Sequence, residues 1–170
     1  LGDGTTTHRN VPTQLGSQTD WQSISAGSDH TFAIKSDGTL WAWGNNNLGQ
    51  LGDGTTISKS IPTQIGTANN WQNIEAAIGS HSLAIKTDGT LWAWGNNNQG
   101  QLGNGTTTNS IIPIQIGTDT DWEQIDAGFF HSVAKKTNGI VYTWGSNSNG
   151  QLGDGSNINR NSPTLVNDGV

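Results

Sequence analysis

Apolar and polar residues alternate in short runs along this chain, and no run continues far enough for a helix of any length. In Trp21 to Ala26, Ile24 and Ala26 alternate with Ser23 and Ser25, the two-residue period of a half-buried strand. His30 to Lys35 reads as a second strand and Leu40-Trp41-Ala42-Trp43 as a third. Asp37-Gly38 between them signals a tight two-residue hairpin of type I′, in which both central residues take positive φ. A Gly/Asn-rich loop from Gly44 to Gly54 leads to a fourth short strand, Ile61 to Ile65. Pro62 cannot donate to a ladder, so that strand belongs at a sheet edge.

The same pattern then returns. Leu1-Gly2-Asp3-Gly4 recurs as Leu51-Gly52-Asp53-Gly54, Leu102-Gly103-Asn104-Gly105 and Leu152-Gly153-Asp154-Gly155, in steps of 50 or 51 residues. Trp21, Trp71 and Trp122 keep phase, as do His30, His81 and His131, and Trp43, Trp94 and Trp144. One slip occurs, where Ala76-Ala77-Ile78-Gly79-Ser80 is one residue longer than Ala26-Gly27-Ser28-Asp29. The chain thus reads as one repeat domain, 1–170, with units 1–50, 51–101 and 102–151 and a partial unit 152–170. Four short strands at this period predict an all-β fold built from β-propeller blades. Ala26-Gly27, Ala76-Ala77 and Ala127-Gly128 would line the crowded inner rim, with Trp and Ile filling the widening wedge between blades.

The pattern Trp-x-x-Ile-x-Ala-Gly-x-x-His, then Asp-Gly-x-Leu-Trp-x-Trp-Gly-x-Asn, then Gly-Gln-Leu-Gly-x-Gly resembles the regulator-of-chromosome-condensation (RCC1-type) repeat. The resemblance covers essentially the whole chain and implies a propeller that is usually seven-bladed. It also implies two kinds of work: guanine-nucleotide exchange on a small GTPase, or protein binding on a propeller face, including inhibition of enzymes. Residues 1–19 and 152–170 occupy the same phase, so the two ends duplicate rather than complement each other. That predicts a fragment of a longer array, completion by a partner chain, or head-to-tail association into a homo-oligomer or polymer.

Composition narrows the partners. The 170 residues include 24 Gly and eight Trp, no Cys and no Met, and only 12% are charged. Seven Lys and Arg, unclustered in a chain of formal charge −6, leave little to neutralise phosphates, so neither nucleic acid nor an anionic membrane is expected. Without Cys there is no disulfide framework and no thiolate metal site. No apolar run reaches the ~20 residues of a membrane-spanning helix, and no leader pattern opens the chain. Starting inside a repeat without Met, the chain is expected to be a mature product or a piece of a longer protein. The low charge and Asn/Thr/Gly-rich surface suit an extracellular or cell-surface setting.

Candidate chemistry is sparse. His30, His81 and His131 invite a metal reading, but equivalent positions in successive blades lie far apart, and each imidazole is expected to bond a backbone group of its own blade. Asn45-Asn46-Asn47 with Asp53 has the oxygen content of a calcium loop without its spaced carboxylates, and Asn104 replaces the acid in the next copy. Side-chain bonds to local backbone account for that composition. Catalytic groups are singular whereas these are replicated, so no enzyme, metal or cofactor is expected. Asn104-Gly105-Thr106 is a lone glycosylation sequon. Carbohydrate binding through Trp and Asn is a weaker alternative, because the Trp residues recur where core packing needs them. Positions that break the repeat point to recognition: Phe129-Phe130 replaces Ser28-Asp29, and Ile78 lies in the lengthened turn. They read either as a partner-binding patch or as filling against the next unit. The expected role is a scaffold for protein–protein interaction or structural self-assembly.

Overall fold

The computed structural model of the chain describes residues 1–166. It holds twelve strands and no helix among them: β1 (Trp21–Ala26), β2 (His30–Lys35), β3 (Leu40–Gly44), β4 (Lys59–Gln64), β5 (Trp71–Ala76), β6 (His81–Lys86), β7 (Leu91–Gly95), β8 (Ser110–Gln115), β9 (Trp122–Ala127), β10 (His131–Lys136), β11 (Val141–Gly145) and β12 (Arg160–Leu165). They form three antiparallel sheets of four in chain order, β1 to β4, β5 to β8 and β9 to β12. These are three blades of a propeller. Pro62, Pro113 and Pro163 all lie in outer edge strands, where a missing N–H costs no ladder bond.

Hairpins between the second and third strands form as expected but through a different turn. Gly38 N–H donates to Lys35 O at 2.9 Å and Lys35 N–H to Thr39 O at 3.0 Å, closing a three-residue loop. Only Gly38 takes a positive φ, 79°, while Asp37 does not. This is a type I turn finished by a left-handed glycine, not the type I′ turn that Asp-Gly suggests. Asp37 instead uses its carboxylate to accept from the Thr39 N–H and hydroxyl at 3.0 and 2.7 Å.

Pairing sorts each blade into two faces. Ile24 stands opposite Ala33 on a rear face, whereas Ser23 and Ser25 stand opposite Ile34 and Phe32 on a front face. The front of the first blade (Phe32, Ile34, Leu40, Ala42) packs with Leu51 and Ile65 on the rear of the second (Trp71, Ile74, Ala76, Trp94). The second front (Leu83, Ile85, Leu91, Ala93) meets the third rear in the same way, at Trp122, Ala134 and Trp144. Trp94 and Trp144 are fully buried. At about 25 cal/mol per Å², each such side chain contributes up to about 4–6 kcal/mol, so tryptophans dominate the interfaces. Ala76 and Ala77 are buried at the inner rim, where the sequence places small residues.

Lys35, Lys86 and Lys136 do not simply extend into solvent. Each lays its ammonium over the rear-face aromatics, Lys86 Nζ 3.9 Å from the Trp92 ring centre and 4.7 Å from that of Trp71.

A candidate protein-interaction face

The turns between the first and second strands of each blade lie side by side at one end of the sheets. Their seats are built by the glycine that follows each inner tryptophan. Gly44, Gly95 and Gly145 have φ between 94° and 107°, and a β-carbon there would fall 2.4–2.6 Å from Asp29 O, Ser80 O and Phe130 O. The next residue then holds the turn: the N–H groups of Asn45, Asn96 and Ser146 donate to those same carbonyls at 2.7–2.9 Å. Each Trp-Gly-Asn/Ser run is therefore a clamp on an inner turn.

Successive turns also touch. Ser28 Oγ–H donates to Ile78 O at 3.0 Å. Gly79 lies directly on the backbone of Phe129, since an added β-carbon would sit 1.3 Å from Phe129 O. The extra residue of this turn is accommodated by Ser80 at φ 64°, the one non-glycine residue with positive φ among those described. These contacts bring Ile78 and Phe129 together. Phe129 and Phe130 pack edge to face with centroids 4.4 Å apart and remain 56% and 39% exposed, with Ile78 at 54%. Three large apolar side chains thus stand exposed on two touching turns. The sequence marks all three as breaks in the repeat, but not that their turns touch.

Below the turns lies the histidine row. His81 Nε2 is 3.0 Å from Ser132 Oγ of the next blade, and that hydroxyl donates to Gln101 O at 2.7 Å. With the serine proton so engaged, Nε2 carries the imidazole proton and donates it. Gln101 O also accepts from Trp144 Nε1–H at 2.8 Å, and Gln50 O accepts from Ser82 Oγ–H and Trp94 Nε1–H, both at 2.9 Å. The expectation of a backbone partner within the same blade is corrected here: the His81 partner is a serine across the interface. Neither ring nitrogen of the buried His30 has a hydrogen-bond partner among the described residues. Burial lowers the His81 pKa to about 3 and that of His30 to about 4, because neither cation can be solvated there. For His81 the neighbouring His30 and His131 add to the effect. The described residues contain no group of three His, Asp or Glu side chains placed to hold a metal ion.

The oxygen-rich loops are occupied by their own bonds. Asn46 Nδ2–H donates to Asp53 Oδ1, Thr55 O and Ile57 O at 2.9–3.3 Å, while Asn46 Oδ1 accepts from Leu51 N–H at 2.9 Å. Asn97 and Asn147 repeat this in their own loops. Ion pairs add to it at Asp3–Arg9, Asp53–Lys59 and Asp154–Arg160, whereas the copy with Asn104 has Ser110 at the cation position.

Repeated four-stranded blades, joined through Trp-rich interfaces and displaying their inner turns on one face, define a propeller repeat protein. The "Regulator of chromosome condensation (RCC1) repeat" pattern matches residues 1–34, 37–85, 88–134 and 138–169. The chain belongs to that family. It is 32% identical over 120 residues to the ultraviolet-B receptor UVR8 of Arabidopsis thaliana, covering 68% of this chain and 27% of the receptor. It is 34% identical over 89 residues to human protein RCC2, covering 51% of this chain and 17% of that protein. Among solved structures, Prp20p of Saccharomyces cerevisiae superposes with a TM-score of 0.77 at 24% identity, over 88% of this chain and 39% of that one. Human WBSCR16 gives 0.77 at 24% identity, over 94% and 40%. The structure of Prp20p was described together with its binding to Gsp1p and histones. This chain therefore spans a fraction of each of these relatives.

Proposed function

We propose that this chain is a stretch of an RCC1-type propeller that acts without catalysis, binding a protein partner on its inner-turn face. The observation that carries the reading is the exposure of Ile78, Phe129 and Phe130 on two touching, clamped turns, at positions where the repeats differ. Rigid, partly exposed aromatics next to an aliphatic side chain are the usual anchors of protein interfaces. The replicated polar groups support a scaffold role as well. His81, Ser82, Ser132, Asn46, Asn97 and Asn147 spend their hydrogen bonds on the fold itself.

Regulation of a small GTPase by nucleotide exchange is the reading next in line, suggested by the family and by the partner named for Prp20p. Near-constant spacing works against it, since the largest departure is the single extra residue of the Ile78 turn.

The test compares the chain with an Ile78→Ser, Phe129→Ser, Phe130→Asp variant, which restores first-blade chemistry to the turns. Partners captured by the chain should be lost from the variant while its melting temperature stays within a few degrees. Undiminished capture by the variant overturns the reading. Acceleration of nucleotide release from a purified small GTPase moves the assignment to exchange.

A further inference from the structure

In three copies of the oxygen-rich loop a single carboxylate does two jobs. Asp53 Oδ1 accepts from Asn46 Nδ2–H at 2.9 Å and from the Thr55 N–H and hydroxyl at 2.9 and 2.7 Å, while Oδ2 takes the Lys59 ammonium at 3.0 Å. Asp154 divides its oxygens in the same way, with Arg160 on Oδ2 at 2.7 Å. Asp3 does so with Arg9. The cation closes over the acid, so the side chains of Asp53 and Asp154 are only 8% and 4% exposed.

Asn104 keeps the first job alone. Its Oδ1 accepts from Asn97 Nδ2–H at 3.2 Å and from the Thr106 N–H and hydroxyl at 3.1 and 2.8 Å. These donors fix the carboxamide, and Nδ2 takes the place of the second carboxylate oxygen. Asn104 is exposed there, and its Nδ2 bonds to nothing among the described residues. No cation covers it. Ser110 holds that position and turns its hydroxyl to Ile112 O at 2.7 Å. Asn46, Asn97 and Asn147 are the opposite case, since their Nδ2 groups tie the loops together.

The backbone on either side of Asn104 is seated independently of Nδ2. Gly103 lies against the Trp144 indole, and Gly105 N–H donates to Asn161 O at 2.7 Å. Thr106 completes the one Asn-x-Thr/Ser run in the chain.

We propose that Asn104 is an attachment site for an N-linked glycan. The donor is an oligosaccharide carried on a lipid diphosphate. Nδ2 forms a bond to its anomeric carbon, the bond from that carbon to the diphosphate oxygen breaks, the lipid diphosphate leaves, and Nδ2 releases one proton to water. Every bond that Asn104 gives the loop is made through Oδ1, so a bulky substituent on Nδ2 points into solvent and leaves the blade interface intact. The assignment does not depend on which partner binds the inner turns.

The test secretes the full chain, behind a cleaved signal peptide, from a host whose oligosaccharyltransferase acts on Asn-x-Thr. Intact mass should show a glycan on most molecules, removable by an amidase that cuts at Nδ2 and absent from Asn104→Asp. Release in heavy-oxygen water labels the aspartate so formed and separates it from spontaneous deamidation of Asn104-Gly105. The glycosylated chain should melt within a few degrees of the same chain made in a host without the transferase. Asp53→Asn in the Asn104→Asp background is the control, because it writes the same run beneath Lys59. A glycan there should lower the melting temperature clearly more, and secretion of that control unmodified, with Asn104 filled in the parent chain, supports the proposal equally. An unmodified parent chain overturns it. So does a glycan on Asn104 that lowers the melting temperature as much as one on the Asp53→Asn loop.

Discussion

The imidazole of His81 in the second blade reaches the Ser132 hydroxyl of the third at 3.0 Å, and Ser132 Oγ–H in turn donates a hydrogen bond to Gln101 O at 2.7 Å. This two-bond chain ties strand, loop and neighbouring blade together in a site closed to solvent. Ser132→Ala should therefore cost about 1–3 kcal/mol, because Nε2–H is left buried and unpaired. Thr31 holds the equivalent place on the uncovered rear of the first blade. Thr31→Val should cost little by comparison. Urea denaturation of both variants checks the difference.

Stability should fall on acidification through the histidines. His30 and His81 titrate near 6.5 when unfolded but are lowered to about 4 and about 3 by burial in the fold. The unfolded chain therefore binds more protons throughout that window, so their contribution is complete above pH 6.5 and is lost as pH falls toward 4 and then 3. His81→Gln should flatten the stability profile between pH 6.5 and 4. An unchanged slope in denaturation curves at half-unit pH steps would show that the ring is solvated.

Two glycines with similar φ should differ sharply in tolerance. Gly52 (φ 76°) has the Trp94 indole 2.8 Å from its would-be β-carbon, while Gly66 (φ 62°) has nothing within 4 Å. Gly66→Ala should cost about 1 kcal/mol for its left-handed backbone alone. Gly52→Ala must also displace a buried tryptophan and should cost clearly more. Thermal melts of the pair settle the order.

The third oxygen-rich loop invites a restoration. Asn104 and Ser110 replace an acid and a cation that pair in the other three copies. Asn104→Asp alone should be neutral or destabilising. Adding Ser110→Lys should reverse this, with a favourable coupling that fades at high salt. A double-mutant cycle at two ionic strengths measures it.

Much of the fold is legible because Trp, Ile and Ala recur at strand spacing, as in Trp71, Ile74 and Ala76, and because Asp-Gly punctuates the hairpins. The type of turn is not legible, since Asp37-Gly38 suits both two-residue and three-residue loops. Periodicity also hides which copy a residue contacts. His81 and Ser132 each look like members of their own repeat, and nothing in the spacing says that they meet. Nor does the spacing show that Lys35, Lys86 and Lys136 stack on aromatics. Ile78, Phe129 and Phe130 stand out as departures from the repeat, but their adjacency needs Gly79 to lie on Phe129, a contact only the folded turns supply.

The Asp-Gly hairpins also set a direction. Gly38 O accepts from Trp71 N–H at 3.1 Å, Gly89 O accepts from Trp122 N–H at 3.2 Å, and the backbones meet so closely that no β-carbon fits on either glycine. Each finished blade thus offers the anchoring point on which the inner strand of the following one is laid down. During synthesis the first blade stands ready before the second has emerged, and the second before the third. Assembly is vectorial: a flaw in the Asp37-Gly38 hairpin would propagate into the second blade, and one in the Asp88-Gly89 hairpin into the third.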